Sequence, residues 1–377
     1  MRSIIIGGGV AGCAMAAALG KTTVSSEATI IERRLPGSSA GMGFILLPNG
    51  LAALDELAPG INWSDSGHWV TRASLRSSDG AVLSEHALEP SLCVSRERFL
   101  RTLHELAGAS GRTQFVEGAT VEGYERDARA VDKSADARCS LGRAVHLADG
   151  TRLEGDLFFG CDGARSRFRS MLFPHAQLSD ASVNELVSVA DAPLLARELG
   201  STFRKFHDPR GGLAVGMIAE SEGRVVWFIQ MDARMYQMQG TSAHAFASFA
   251  DATLADWPAE VLEAIACTNF DDSHLWQTRD LPPLARLSSA NAVLLGDAAH
   301  ACLPFTSQGA NGALVDAALL RRLLRSTRTQ HDALRAFEEY TRVRRPHHRR
   351  MFDEGRRLRD AFLAPVSAQG PLLPLVA

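Results

Sequence analysis

Three stretches of this chain place residues where they could hold a phosphate-bearing cofactor and steady charge on it. The first is Ile4-Ile5-Ile6-Gly7-Gly8-Gly9-Val10-Ala11-Gly12, a G-x-G-x-x-G pattern after an apolar run and before an Ala-rich segment. Gly7 permits a tight turn, Gly9 lets the backbone approach a pyrophosphate, and Gly12 lets the helix pack close to its strand. Val10 and Ala11 open that helix, whose free N–H groups and partial positive charge face the anion. Glu32 lies 20 positions past Gly12, where a carboxylate can hold a ribose hydroxyl pair. Arg33 and Arg34 follow it, a sequence compatible with NAD or FAD.

The second stretch is Gly160-Cys161-Asp162-Gly163-Ala164-Arg165-Ser166-Arg167-Phe168-Arg169. Asp162-Gly163 can make a turn, and Ser166 and Arg169 fall one helical turn apart; a capped helix with solvated arginines is the plain alternative. The third is Val293–Ala317. Asp297 ends an apolar run, where its carboxylate can bond a polyol hydroxyl. Gly309, Ala310 and Asn311 open a helix whose N–H groups can face a carbonyl-rich heterocycle and stabilise negative charge on it.

These motifs need strands that end together. Ser3–Ile6, a helix over Val10–Leu19 and a strand over Ala28–Glu32 read as a βαβ unit. Gly37–Gly50 reads as a loop, with a helix over Leu51–Leu57. A hairpin is predicted around Ser78-Asp79-Gly80, an amphipathic helix over Ser95–Ala109, and a strand–turn–strand around Ala148-Asp149-Gly150. Asp156–Cys161 reads as a buried strand and residues 185–231 as strand-rich. Ala243–Cys267 is helical around Trp257-Pro258. After Asp297 the pattern is helical to near Phe362, and Ala364–Ala377 reads as a loose tail.

Composition sets the class. The chain has 377 residues, 46% hydrophobic and 22% charged, with a formal net charge of -3. This is ordinary for a soluble globular protein and points to neither nucleic acid nor an anionic membrane. Six cysteines form no C-x-x-C pair, so reduced buried thiols are expected, with no metal site. The apolar N-terminal window is short and broken by glycines, so the expectation is a cytoplasmic protein without stable membrane insertion.

Taken together, in this order and at these separations, the stretches resemble the class A flavoprotein monooxygenases of the p-hydroxybenzoate hydroxylase fold, from Ser3 to about Arg345. The resemblance implies an α/β chain. A Rossmann-like FAD-binding domain with a parallel sheet (1–70, 95–180, 286–345) is interleaved with a strand-rich substrate domain (71–94, 181–285). A C-terminal helix and tail follow (346–377). It implies that Gly7, Gly9, Val10, Ala11 and Gly12 hold the FAD pyrophosphate and that Glu32, with Arg33 beside it, holds the adenosine ribose. Asp162 and Gly163 would support FAD and a passing NAD(P)H. Asp297 would meet the ribityl or pyrophosphate region, and Gly309, Ala310 and Asn311 the pyrimidine edge. Arg96, with Arg98 as the alternative, would open the helix beside the flavin. Pro304 and Phe305 would sit near flavin and substrate. In the middle sheet, Trp227 or Ile229 could face the substrate, with Phe203, His207 and Met217 as further candidates; core packing is the alternative for each. His207 is also the candidate base for a phenol. One departure is Ser307, where relatives commonly have glycine.

The activity implied is hydroxylation or epoxidation of an aromatic or polycyclic small molecule. Non-covalently bound FAD, NAD(P)H and O2 take part, through a flavin hydroperoxide, in a monomer or homodimer. A reductase of the same fold and a non-catalytic flavin-binding protein are the alternatives. Other motif-like strings fail on context. Gly37-Ser38-Ser39-Ala40-Gly41 lacks the strand and helix of a nucleophile elbow. Gly20-Lys21-Thr22 lacks the upstream glycine of a phosphate loop. His347-His348 read as solvated histidines, and the arginines from Arg342 to Arg359 as a solvated helical face or an oligomer contact, with membrane docking as the minor alternative.

Overall fold

A computed structural model of the protein describes residues 1–35, 42–131, 140–367 and 371–373, with 128–131 described in backbone only. The G-x-S-x-G string at Gly37–Gly41 and part of the expected C-terminal tail lie outside the described residues.

The first strand, Arg2–Ile6, is the organising element. It pairs in parallel with Glu27–Glu32 on one side and with Leu157–Gly160 on the other. Leu157–Gly160 pairs in parallel with Ala292–Leu294, and Thr113–Glu117 extends the other edge. The register aligns Ile6 with Ile31 and Gly160, and Gly160 with Leu294. The strands therefore end level, and the loops carrying Gly7–Gly9, Glu32, Asp162 and Asp297 leave from one edge. In open parallel sheets that edge is where ligands bind.

The helix after the first turn, Val10–Gly20, is buried on all sides from Val10 to Leu19. Its alanines let Gln308–Leu324 and Arg96–Gly108 pack on it at short range. An all-round apolar helix is a core helix.

The second sheet has eight strands among the described residues. Its order is His274–Thr278, Val183–Asp191, Arg224–Asp232, Leu213–Ala219, Thr202–His207, Gly67–Ser77, Val82–Ser95, Gly43–Leu46. One face is covered by the helices Pro193–Leu199, Ala243–Leu254 and Ala259–Ala266. The other looks toward the strand ends of the first sheet. Three elements differ from expectation. Gly43–Leu46 is a strand inside a segment whose Gly, Ser and Pro content suggested a loop; it adds to Val82–Ser95. Pro193–Leu199 is a short helix inside the strand-rich stretch, started by its proline. The helical segment around Trp257-Pro258 is two helices, because Pro258 caps the second. A small third sheet joins residues 121–131, 140–147 and 152–154. Among the described residues no helix is long and apolar enough to cross a membrane.

Candidate functional site

A cavity of about 430 Å³ lies between the strand ends of the first sheet and the open face of the second. This is within the size range of small-molecule sites, roughly 300–1,000 Å³. At one end it is lined by Gly9, Val10, Ala11, Gly163, Asp297, Gly309 and Ala310, with Arg96 beside them. At the other end stand Pro304, Phe305, Phe203, Phe228 and Lys205.

The glycines fit a dinucleotide cradle. Gly7 has φ +106°, and a side chain there would strike Cys161 O at 2.3 Å. At Gly12 a Cβ would meet Gly7 O at 1.8 Å, so turn and helix touch through backbone. Gly9 differs: its backbone is extended, and a Cβ there meets nothing within 4 Å. The space in front of Gly9 therefore opens into the cavity. Gly163, at φ +83°, likewise faces open space. Glu32 Oε2 accepts from Gly8 N at 2.7 Å and Oε1 from Arg34 N at 2.9 Å, which fixes the carboxylate beside the turn. Each oxygen keeps a lone pair for a hydroxyl donor. These residues fit the adenosine-pyrophosphate half of FAD.

The second stretch braces the first and third. Asp162 Oδ2 accepts from Phe168 N at 3.0 Å, and its other oxygen accepts from the Ser166 hydroxyl, which itself caps Arg169 N. Asp162 does not line the cavity. Arg169 is buried rather than solvated and donates to Ala164 O at 2.7 Å and Ala298 O at 3.2 Å, tying the second loop to the third. Arg33 is exposed and away from the cavity, as is Arg98. Of the two candidate arginines Arg96 faces the cavity. Burial and the nearby Arg34 pull its pKa down, and Asp297 opposes them.

Asn311 is fully buried and its side chain is fully used. Oδ1 accepts from Leu47 N at 2.9 Å, and Nδ2 donates to Ile45 O at 3.0 Å and Ser307 O at 2.7 Å. It pins the Gln308–Leu324 helix under the Gly43–Leu46 strand, while Gly309 and Ala310 are the residues of that helix start that line the cavity. Ser307 takes φ +54°, a left-handed conformation that glycine adopts more easily, so a serine there carries backbone strain.

The second sheet requires a correction. Trp227, Ile229 and Met217 point away from the cavity into the core beneath the helices, and the Trp227 indole donates to Thr268 Oγ1 at 2.9 Å. Side chains alternate along a strand, so their neighbours Val226, Phe228, Gln230 and Ile218 face the cavity instead. Phe203 faces it as expected. His207 has the same parity but is buried beyond the cavity wall. Desolvation and the Lys205 charge hold its pKa well below the usual imidazole range, so it stays neutral and does not reach the cavity. Trp227→Ala is expected to cost about 3–5 kcal/mol of stability while ligand binding to the holoprotein stays within error. Phe228→Ala is expected to alter that binding. Thermal unfolding and a flavin-absorbance titration separate the two, and a Trp227 variant with weakened binding would reverse the facing.

The polar groups on this face were not found from the sequence. Lys205 is fully buried, its Nζ donating to Gln230 Oε1 at 2.6 Å, and Gln230 Nε2 donates to Glu185 Oε1 at 3.3 Å. Burial pulls the Lys205 pKa down to about 8 against the pull of Glu185, and pushes Glu185 up to about 7 against the pull of Lys205. The signal was available: Thr202-Phe203-Arg204-Lys205-Phe206-His207 puts a lysine on the same strand face as Phe203. Cys302 also lines the cavity, but burial pushes its thiol up to about 12, so it offers no thiolate.

Next to the Gly296–Asp297 loop lies a second network. Asp316 is fully buried; Oδ2 accepts from Gly296 N at 2.9 Å and pairs with His300 Nε2 at 2.7 Å, while Oδ1 accepts from Arg344 Nε at 2.6 Å. His348 packs on His300 with ring centroids 4.1 Å apart. This corrects the reading of Arg344 and His348 as solvated. Each is buried because it lies across from Asp316, a contact that helix periodicity alone does not reveal. Asp316, His300 and His348 bring ligand-type atoms within 4.8 Å of one another, but Arg344 already occupies one carboxylate oxygen.

Residues 1–355 match a family model described as "FAD binding domain". Among curated proteins the chain is 29% identical to the 3-amino-4-hydroxybenzoate 2-monooxygenase PtmB3 of Streptomyces platensis, over 92% of this chain and 86% of the relative. It is 26% identical to the FAD-dependent urate hydroxylase of Klebsiella pneumoniae, over 90% and 85%. Among solved structures, Klebsiella pneumoniae HpxO complexed with FAD and uric acid superposes with a TM-score of 0.81 at 23% identity, covering 96% of this chain and 89% of that one. Pseudomonas aeruginosa PqsL in complex with 2-aminobenzoylacetate gives a TM-score of 0.78 at 21% identity, covering 96% of each. At these identities the structures speak to the fold.

Proposed function

We infer the activity from one premise: this chain belongs to the FAD-binding-domain family, and its curated relatives include proteins named as monooxygenases and as an FAD-dependent hydroxylase. The protein is an FAD-dependent monooxygenase. We propose that it uses NAD(P)H and O2 to place one oxygen atom on a small aromatic molecule, the other oxygen leaving as water.

The observation that carries this is the continuity of the cavity. Its glycine-lined end and its aromatic end form one space, so a cofactor ring and a substrate ring can lie in van der Waals contact. When bound, FAD supplies the redox chemistry that activates oxygen. The chain's own residues do the rest. Gly9 and the start of the Val10–Gly20 helix receive the pyrophosphate, and Glu32 holds the ribose. The N-terminus of the Gln308–Leu324 helix stabilises negative charge that develops on the pyrimidine edge. Phe203, Phe228 and Phe305 exclude water from the reacting ring. The relatives' named substrates, 3-amino-4-hydroxybenzoate and urate, support an aromatic or heteroaromatic substrate here.

The test is direct. Purified protein incubated with FAD and desalted is expected to keep the flavin absorbance bands. With a substrate from an aromatic panel, NAD(P)H oxidation is expected to accelerate with O2 consumed in equal amount and product heavier by one oxygen. Turnover of substrate without oxygen uptake would replace the monooxygenase with a reductase. A protein that holds flavin but is not reduced by NADH or NADPH would leave a flavin-binding module.

A further inference from the structure

The cavity's aromatic end holds an ammonium group without a direct counter-ion. Lys205 Nζ is fully buried and has one hydrogen-bond acceptor among the described residues, the neutral amide oxygen of Gln230. It sits over the rings of Phe305 at 5.5 Å, Phe228 at 5.8 Å and Phe362 at 5.9 Å. Ring faces attract a cation but accept no directed hydrogen bond, and an ammonium has three donors. Two N–H groups are therefore left over at the wall of the cavity. The nearest carboxylate, Glu185, is held one residue away behind Gln230. A buried charge in this state is expensive unless paired. The lowered pKa of Lys205 and the raised pKa of Glu185 follow from that same desolvation.

Resting on the monooxygenase reading, we propose that the substrate is an aromatic acid whose carboxylate is received by Lys205, with its ring laid between Phe203, Phe228 and Phe305 toward the cofactor end. The geometry supports this in three ways. Gly216, paired with Lys205, has no side chain, and a Cβ there would meet the Phe228 ring at 2.1 Å; the gap lets ring and lysine chain lie together. Phe203 and Phe228 are near-parallel, 25° apart with centroids at 6.4 Å, giving a flat apolar wall beside the ammonium. Arg96, the other cation lining the cavity, already has the Asp297 carboxylate near it. The lysine thus fixes which end of the ligand lies away from the reacting atoms. It is a specificity-determining residue.

The experiment uses the FAD-loaded protein and two probes of equal shape, 2-naphthoate and 2-naphthamide, with binding read by calorimetry. Wild type is expected to bind naphthoate at least about tenfold more tightly than the amide. Lys205→Met is expected to erase that preference while changing amide binding less than about threefold. Glu185→Gln removes the rival carboxylate and is expected to tighten naphthoate binding several-fold, a gain that a misfolded variant cannot give. Equal binding of both probes by wild type, or no binding of either, overturns the proposal. A preference that survives in Lys205→Met also overturns it and assigns the anion to Arg96. Retention of the flavin bands throughout separates these outcomes from loss of the cofactor, and oxygen uptake with the aromatic panel, measured on the same wild-type protein, separates them from failure of the monooxygenase reading.

Discussion

Gly9→Val abolishes FAD retention and leaves the protein folded. The extended backbone at Gly9 accepts any residue, and a side chain there meets no protein atom within 4 Å. Glycine and valine differ by less than about 1 kcal/mol as helix N-caps, so the apo protein should melt within a few degrees of wild type. The valine methyls instead fill the place of the pyrophosphate. Loss of close backbone contact is expected to weaken FAD by at least about 100-fold, which corresponds to roughly 3 kcal/mol. Visible absorbance after desalting, with apo and holo melting curves, checks it. The neighbouring glycines give the contrast. Gly12→Val drives a Cβ into Gly7 O and should prevent folding, with or without cofactor. A Gly9→Val protein that remains yellow after desalting would remove the turn from the cofactor site.

Asp316→Asn lowers stability by about 3–5 kcal/mol, the usual cost of breaking a buried ion pair on one side. Arg344 would then be buried facing a neutral amide, and Gly296 and His300 would lose a charged acceptor. The wild-type carboxylate is itself shifted. Burial raises its pKa, but Arg344 and His300 outweigh burial and hold it well below the usual range. A carboxylate depressed on folding stabilises the protein above its unfolded pKa, near 3.9, and that stability is lost as pH falls through the folded value. His348 acts over a higher window. Burial first, then His300, lowers its pKa to about 3, so between there and about 6.5 the unfolded chain binds the proton and folding opposes it. Stability should therefore decline as pH falls through that window. His348→Leu should flatten this decline, and Asp316→Asn should flatten only the part below about pH 4. Melting temperatures of the three proteins from pH 7 to pH 3 test this; parallel profiles would show that neither group is linked to folding.

The first sheet and its loops were legible because their chemistry is local. Gly7, Gly12 and Gly163 are needed where they stand by backbone geometry, and a G-x-G-x-x-G after an apolar run signals that on its own. The second sheet was less legible for a physical reason. Strands such as Leu213–Ala219 and Arg224–Asp232 are buried on both faces. Their sequences are near-continuous apolar runs without the alternation that sets facing. Trp227 and Ile229 read as the cavity-facing pair, yet Phe228, between them, faces the cavity. A buried lysine was the better marker, since charge in a two-sided core strand demands a partner. Burial of Arg169, Arg344 and His348 depends on partners brought in by tertiary packing, such as Asp316 from another helix, and no spacing rule in an arginine-rich helix announces it. Gly43–Leu46 was hidden because its strand partner lies some fifty residues later.

The placement of Ala292–Leu294 beside Leu157–Gly160 has a consequence for how the chain is made. During synthesis the strand Leu157–Gly160 can join Arg2–Ile6 early, but its other side must wait for roughly 130 more residues. At ribosomal speeds of about 5–20 residues per second that wait is on the order of 10 s. For that interval a nascent parallel sheet presents an apolar, unpaired edge, the template on which chains aggregate. The two halves of the cofactor cradle are born on either side of this delay, so flavin cannot assist folding until the last strand has arrived. Yield in a host cell should therefore depend on chaperone capacity and translation rate more than on flavin supply.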